Sequence, residues 1–327
     1  METMIDLINR NATDEEIYKY SNRIQKEKDN SASLEKKAEF EYMEANNLVQ
    51  LPLWQEEARG VPNCILRGSL FAAVRPQDAF YCDRKILIEN DDFKITYTGM
   101  RLTQPDLDVW ETALHLARNQ KLGEKIYYSE TSFLRKMGRS TGGNDKKWLK
   151  SVLSRLSATS VEVTFKTKKH YSFEGSLLAN IYREKITEKF VLVLDPQLHR
   201  LFLDGNTWVS WEERSRIDKT QYLAKWLHGY AATHAKWLGH KPQTLLERSG
   251  SKNKSVNSFK QSLKKAATHL EAVGLIESFD FDNGLFKMEK PPSKSQQKHI
   301  EQKQEEWLQL EKERERKKVL SRNTRAD

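Results

Sequence analysis

Apolar residues recur at the helical period along residues 148–156. This spacing predicts a helix that buries one face in a core. A turn at Gly142-Gly143-Asn144 separates it from a shorter predicted helix over residues 129–137, as expected for a helix-turn-helix. The apolar stripe consists of Trp148, Leu149, Val152, Leu153 and Leu156.

Another face of the same helix is basic. From Arg135 to Arg155 there are seven Lys or Arg residues and one acidic residue, Asp145. Such a face is typical of a surface that contacts nucleic-acid phosphates, and a solvated surface helix is the alternative interpretation. The candidate DNA contacts are Arg139, Lys146, Lys147, Lys150, Ser151 and Ser154.

The flanking pattern predicts strands and one further helix. Residues 84–89 and 93–98 are predicted to pair as strands, and Thr103 to Asp106 opens a helix with a buried stripe. Alternating residues 161–165 predict a strand that ends in the basic segment KTKKHY. We interpret this segment as the tip of a hairpin whose Lys168 and Lys169 reach phosphate; an exposed, merely soluble turn is the alternative. An apolar strand over 190–194 and a short helix up to Phe202 follow.

The same order of elements recurs in the second half. Residues 219–235 predict a long amphipathic helix and 244–248 a shorter one. A third predicted helix has the apolar stripe Phe259, Leu263, Ala267 and Leu270. Strands over 275–281 and 285–289 are predicted to pair across Asp282-Asn283-Gly284. This hairpin carries several acidic residues, so we expect it to be structural. The candidate DNA contacts here are Lys254, Asn257, Lys260, Gln261 and Lys264.

These patterns predict an α+β fold that is mostly helical, with two tandem winged-helix domains and charged helical N- and C-terminal extensions. The expected units are a charged arm with marginal helices (1–46), a first winged helix (47–204), a second (205–290) and a charged helical tail (291–327). A docking helix in the arm and a coiled-coil site in the tail are alternatives to solvated extensions.

Charge is unevenly distributed along the 327 residues, whose net charge is +9. Residues 1–46 carry 7 basic and 11 acidic groups, residues 291–327 carry 10 and 7, and the middle therefore carries +10. Basicity thus belongs to the predicted folded core, where it can form a surface for nucleic acid. Asn257 and Gln261 are the candidates for base recognition, because an amide can bond adenine bidentately.

The sequence lacks the motifs of several common enzyme and metal sites. The sequence contains no Gly-Lys-Ser/Thr phosphate loop, no HExxH and no metal-ligand spacing of His or Cys. We therefore expect no enzyme activity, no cofactor and no metal site. Cys64 and Cys82 are expected to be buried thiols. Without an apolar run or a signal peptide, the chain is expected in the cytoplasm, away from membranes.

Four segments in series resemble the TrfA-type plasmid replication initiators: LPLWQEEARGVPNCILRGSLF, YTGMRLTQPDLDVWETALHLARNQ, SRLSATSVEV and LAKWLHGYAATHAK. The resemblance spans about residues 50–290. It implies a bacterial protein that binds directly repeated origin sequences (iterons), helps to open an adjacent A+T-rich segment and recruits the host replicative helicase. It also implies the host initiator and single-stranded A+T-rich DNA as further partners, a monomer on DNA, and a homodimer in solution that restrains copy number.

Three other classes of protein remain as alternatives. A winged-helix transcriptional regulator would bind an operator near its own gene. The two basic faces argue against a scaffold that binds only proteins. A DNA-nicking enzyme is disfavoured because the sequence has no two histidines that flank a single apolar residue, the spacing its metal site would need.

Overall fold

Helices and antiparallel strands alternate along the chain in the computed structural model, which describes residues 49–166, 172–184, 189–290 and Trp307. The predicted arm, the tip residues Lys168 and Lys169, and nearly all of the predicted tail lie outside the described residues. The α-helices are α1 (Asn63–Arg67), α2 (Gln104–Ala117), α3 (Glu130–Lys136), α4 (Gly143–Ser157), α5 (Trp211–Arg216), α6 (Tyr222–Ala232), α7 (Pro242–Ser249) and α8 (Val256–Ala272).

Strands are more numerous than the sequence predicted, so the described fold is a mixture of α and β. They are β1 (Ala58–Pro62), β2 (Tyr81–Glu89), β3 (Phe93–Met100), β4 (Ile126–Tyr128), β5 (Ser160–Phe165), β6 (Ser172–Gly175), β7 (Asn180–Arg183), β8 (Phe190–Val193), β9 (Asn206–Ser210), β10 (Ser278–Asp282) and β11 (Leu285–Glu289). Short 3₁₀ helices cover Pro76–Asp78 and Pro196–Phe202.

A four-stranded sheet has the order β2-β3-β5-β6. The predicted pairing of β2 with β3 is confirmed, and Asn90 forms their turn by accepting hydrogen bonds from the backbone N–H groups of Asp92 and Phe93. Strand β3 buries alternate residues, Phe93, Ile95 and Tyr97, as the two-residue period of a half-buried strand requires.

A separate three-stranded sheet, in the order β4-β8-β7, lies beside α4. The predicted strand over 161–165 is confirmed as β5, and it pairs antiparallel with β6, as a hairpin requires. This hairpin extends the four-stranded sheet through the pairing of β5 with β3. Its predicted role as a wing stays a prediction. The hairpin that packs against α4 is β7–β8, and its strand β7 was not predicted.

The second half forms its own apolar cluster from α6, α7, α8 and the β10–β11 hairpin. The predicted hairpin is confirmed: Asn283 and Gly284 both have positive φ, 51° and 76°, as a two-residue turn of type I′ requires. Helix α6 ends at Ala232, three residues before the predicted end. After it, the rings of Tyr230, His234, Trp237 and His240 pack together.

A buried ionic cluster joins the two halves. Asp108 of α2 accepts from Arg214 Nε of α5 at 2.7 Å and from Lys225 Nζ of α6 at 2.5 Å. Burial alone would raise the pKa of Asp108, but the charges of Arg214 and Lys225 hold it below its usual value. Burial raises the pKa of the neighbouring Glu111 to about 7. Removing one partner from such a cluster leaves a buried charge without compensation.

The predicted domain boundary at residues 204 and 205 stays a prediction. Strand β9, which follows it, pairs with β1 of the first half. Val209 of β9 belongs to the apolar cluster of the first half, which also contains Trp110 of α2 and Leu149 of α4. The first helix of the second cluster, α6, begins only at Tyr222. No helix in the described ranges has both the length and the apolar run for a membrane crossing. Cys64 and Cys82 are free, buried thiols, as predicted.

Candidate DNA-binding surfaces

Helix α4 has the two faces that its sequence predicts. Leu149, Val152, Leu153 and Leu156 are buried, and Trp148 is half-buried against the same cluster. Because these residues fix the rotation of the helix, the other side faces solvent. Four candidate DNA contacts are exposed together there, with Lys146 half-buried beside them: Lys147, Lys150, Ser151 and Ser154.

Arg139 is engaged within the protein. Its Nη2 lies 2.9 Å from Asp145 Oδ1, and its guanidinium lies 3.7 Å from the ring centre of Trp148. Hydrogen bonds from Ser140 and Arg139 hold the pKa of Asp145 below its usual value. Arg139 thus fixes the turn that precedes α4, in addition to its predicted role as a DNA contact.

Lys150 also has an acidic neighbour that the sequence analysis missed. Its Nζ lies 3.3 Å from Glu130 Oε1 at the start of α3, while 58% of its side chain stays exposed. The same ammonium lies 5.4 Å from the ring centre of Phe190. Glu130 is twenty residues earlier in the chain, so only the packing of α3 on α4 brings the pair together.

Helix α8 presents the second polar face. It begins at a capping box, in which the Ser255 hydroxyl accepts from Ser258 N and Ser258 Oγ accepts in return from Ser255 N. Its buried residues are Phe259, Leu263, Ala266, Ala267 and Leu270. The predicted contacts Lys254, Asn257, Gln261 and Lys264 are exposed and Lys260 is half-buried.

The turn before α8 approaches the edge strand β2. The ring of Phe80 has Lys252 Nζ at 5.2 Å and Lys85 Nζ at 4.9 Å from its centre. Lys252 also donates to the backbone oxygen of Asp78. These contacts place Lys85, which comes from a distant segment, beside Lys252 in the turn before α8, and the sequence analysis singled out neither lysine.

The β10–β11 hairpin carries acidic residues, as predicted. Asp282 pairs with Lys287 at 2.6 Å, and Asp280 is exposed on the same hairpin. Like charge would repel DNA phosphates here. Among the described residues no group of three or more His, Cys, Asp or Glu side chains is placed to hold a metal ion. Burial lowers the pKa values of His228 and His240 to about 4, which keeps both rings neutral near pH 7.

Comparisons with known proteins agree on one family. A sequence model of the family described as "TrfA protein" matches residues 11–290. The plasmid replication initiator protein TrfA of Escherichia coli is 28% identical over 239 residues, which cover 71% of this chain and 61% of that protein. The chain therefore spans less than two thirds of the length of that relative.

Two crystal structures of RctB fragments are similar to part of this chain. A structure of domains 2 and 3 has a TM-score of 0.45 at 12% identity and covers 70% of this chain and 96% of that one. A second, of residues 155–483, has a TM-score of 0.41 at 14% identity and covers 64% and 83%. The family match extends over most of the sequence, and this chain belongs to the TrfA family.

Proposed function

We propose that this chain initiates plasmid replication by binding directly repeated origin DNA through α4 and α8. The observation that carries the proposal is the pair of exposed polar helix faces, each behind a helix-turn-helix turn, on one chain. Membership of the TrfA family supports it, because the relative from Escherichia coli is a plasmid replication initiator.

The proposal includes two winged-helix units. In the first, α2, β4, α3 and α4 follow one another, and β7 and β8 come after the intervening β5–β6 hairpin; the sheet β4-β8-β7 supports this assignment. In the second, α6, α7, α8 and the β10–β11 hairpin support it. The first wing is then the β7–β8 hairpin, whose tip residues 185–188 lie outside the described residues.

Direct repeats fit this arrangement better than a palindrome. Two different recognition helices on one chain make an asymmetric site, whereas a two-fold dimer matches a palindrome. The lysines would hold phosphates, and Asn257 and Gln261 would contact base edges. Opening of an adjacent A+T-rich segment then draws on binding energy and DNA deformation, without a catalytic step of its own.

Recruitment of the host helicase and initiator, and a homodimer that restrains copy number, complete the proposal. Its setting is the bacterial cytoplasm, where the plasmid origin lies. A nuclease footprint of the full chain on DNA that flanks its gene, repeated across a salt series, tests the core of it. We expect protection over several direct repeats, and hypersensitivity in a neighbouring A+T-rich segment.

Salt dependence provides a second readout. With roughly 6 to 10 phosphates neutralised, affinity falls by about 10³- to 10⁵-fold between 50 and 200 mM salt. A single protected palindrome over a promoter would contradict the proposal and favour a transcriptional regulator instead.

A further inference from the structure

Two lysines from distant segments lie beside one aromatic ring near the start of α8. Lys85 Nζ of β2 lies 4.9 Å, and Lys252 Nζ of the turn before α8 lies 5.2 Å, from the ring centre of Phe80. Both lysines are exposed. We propose that they form a third DNA contact, which binds backbone phosphates beside the segment that α8 occupies. This inference rests on the proposed function, since it requires DNA on α8.

The positive charge at this place is not balanced within the described residues. Neither Lys85 nor Lys252 forms an ion pair with any of them. Asp78, whose backbone oxygen accepts from Lys252, directs its carboxylate to Arg75 at 2.7 Å. Hydrogen bonding to Arg75 holds the pKa of Asp78 below its usual value, and the charge of Lys252 contributes less. Two ammonium groups held at one ring repel each other, so a bound anion would relieve the repulsion.

A bulge in β2 brings Lys85 to this position. Between the residues opposite Gly99 and Tyr97, β2 has one residue more than β3. Arg84 in the bulge has a φ of 38°, a left-handed value that residues other than glycine seldom adopt. Without the extra residue, Arg84 would stand opposite Tyr97 in place of Lys85. Arg84 instead lies 3.8 Å from Glu162, which leaves Lys85 as the cation without an acidic partner.

The location of the two lysines relates them to DNA on α8. Residues at the start of a recognition helix contact base edges, and the elements before it lie along the backbone. Asn257, the proposed base contact, is the second residue of α8, and Lys252 precedes it by five residues. A duplex on α8 therefore runs its backbone past this turn. Through Lys85, the first half of the chain would contact the DNA segment that the second half recognises.

An open edge of a sheet can also pair with a second copy of the chain. Strand β2 is the edge of its sheet, and Tyr81 and Ile86 expose 64% and 50% of their surface there. A two-fold contact places the same patch on both sides, so it would bring the lysines of one copy towards those of the other. Phosphate has the opposite charge, and the charge of the site therefore favours DNA.

Anisotropy titrations of the full chain on the repeat duplex, across a salt series, test the inference. Lys85→Ala removes one proposed phosphate contact, so we expect about a fivefold loss of affinity near 0.15 M salt and a salt slope lowered by about one. Lys85→Arg keeps the charge and should bind within about twofold of the parent chain.

The matched control is Lys166→Ala, which removes the same charge from the same sheet. Lys166 lies just after β5 and already pairs with Glu89 at 3.0 Å. We therefore expect its loss to change affinity by less than about twofold. A thermal melt checks that Lys85→Ala is folded, which is expected because the side chain is exposed.

Ethylation interference locates the phosphates that matter. The base pairs whose preference Asn257→Ala relaxes mark the α8 segment. We expect the parent chain to need phosphates beside that segment, and Lys85→Ala and Lys252→Ala to lose the same ones, because both lysines lie at one ring. The phosphates that α4 requires should stay the same in both variants.

An unchanged salt slope in Lys85→Ala, or equal losses in Lys85→Ala and Lys166→Ala, would overturn the inference. A monomer–dimer equilibrium that shifts in Lys85→Ala, with an unchanged slope on DNA, would assign this edge to a second copy instead. The footprint of the parent chain separates the two possible failures. Protected repeats with an unchanged slope in Lys85→Ala remove only this inference, while no protection at all would remove the proposed function.

Discussion

Helices α4 and α8 have similar polar faces but different surroundings. Before α4, Arg139 pairs with Asp145, and within the helix Lys150 pairs with Glu130. At α8, no ion pair with a described residue involves Lys260 or Lys264 of the helix, or Lys254 just before it. Cations that already have a protein partner must give it up, or share it, before they can neutralise a phosphate. We therefore expect α8 to contribute more of the DNA affinity, and α4 to contribute through positions that are already constrained.

The strongest test of this difference is the double variant Lys260→Ala/Lys264→Ala. Each lysine that releases one counterion accounts for about a fivefold change in affinity near 0.15 M salt, so we expect about a 25-fold loss and a salt slope reduced by about two. Anisotropy titrations of the repeat duplex across a salt series measure both. Lys121→Ala/Lys236→Ala, two exposed lysines outside α8, is the control. An equal loss in both variants would point to net charge alone.

Asn257→Ala tests base recognition on α8. We expect binding to fall by about tenfold on the preferred repeat, with relaxed preference at one or two base pairs, since one bidentate contact is worth about 1–3 kcal/mol of discrimination. The salt slope should not change, because the amide carries no charge. Competition among single-base variants of the repeat measures the preference. An intact preference profile would show that Asn257 faces away from the bases.

Within α4, Lys147 and Lys150 provide a matched pair. Both are exposed, but only Lys150 has an acidic neighbour in the described part of the chain. We expect Lys147→Ala to weaken duplex binding by about fivefold and Lys150→Ala by about twofold. Glu130→Gln should strengthen duplex binding by about twofold, because it frees Lys150. Equal effects of the two lysine variants would mean that Glu130 does not restrain Lys150.

The smallest expected effect is a difference in acid sensitivity between the two helix starts. The pKa of Asp145 is lowered in the folded chain, so its contribution is present above the usual Asp value of about 3.9 and is lost as pH falls through the lower folded value. Helix α8 begins at serine hydroxyls, which do not titrate there. Amide-exchange protection of the first turn of α4 should therefore fall before that of α8. In Asp145→Asn, this separate acid transition should be missing.

The sequence predicted correctly those elements that are stabilised mainly by residues close to one another in the chain. The stripes of α2, α4 and α8 follow from helical periodicity. The start of α2 follows from Thr103, whose backbone N–H donates to Asp106. The β10–β11 turn follows from Asn283-Gly284, which tolerates positive φ. In these cases the residues that decide the structure are neighbours in sequence.

Elements that depend on distant partners were missed. Strand β7 has no alternating burial, and only its pairing with β8 makes it a strand. Strand β1 contains Gly60 and Pro62, which disfavour a strand on propensity alone, yet it pairs with β9 about 150 residues later. The same limit applied to the candidate surfaces. The exposed polar faces were predictable, but the partners of Lys150 and Lys252 were not.

The ionic cluster at Asp108 has a consequence for the geometry of the origin. It ties α2 to α5 and α6 by short contacts, so the distance and rotation between α4 and α8 are properties of the folded chain. Under the proposed function, a rigid pair α4 and α8 requires its two contact segments to face the same side of the duplex. Insertion of about five base pairs within one repeat, half a helical turn, would place the second segment on the far side. Insertion of about ten base pairs, one full helical turn, returns the second segment to the same side of the duplex but increases its distance from the first segment. Under the proposed function, we therefore expect the buried carboxylate of Asp108 to set the phase of the DNA helix within each repeat.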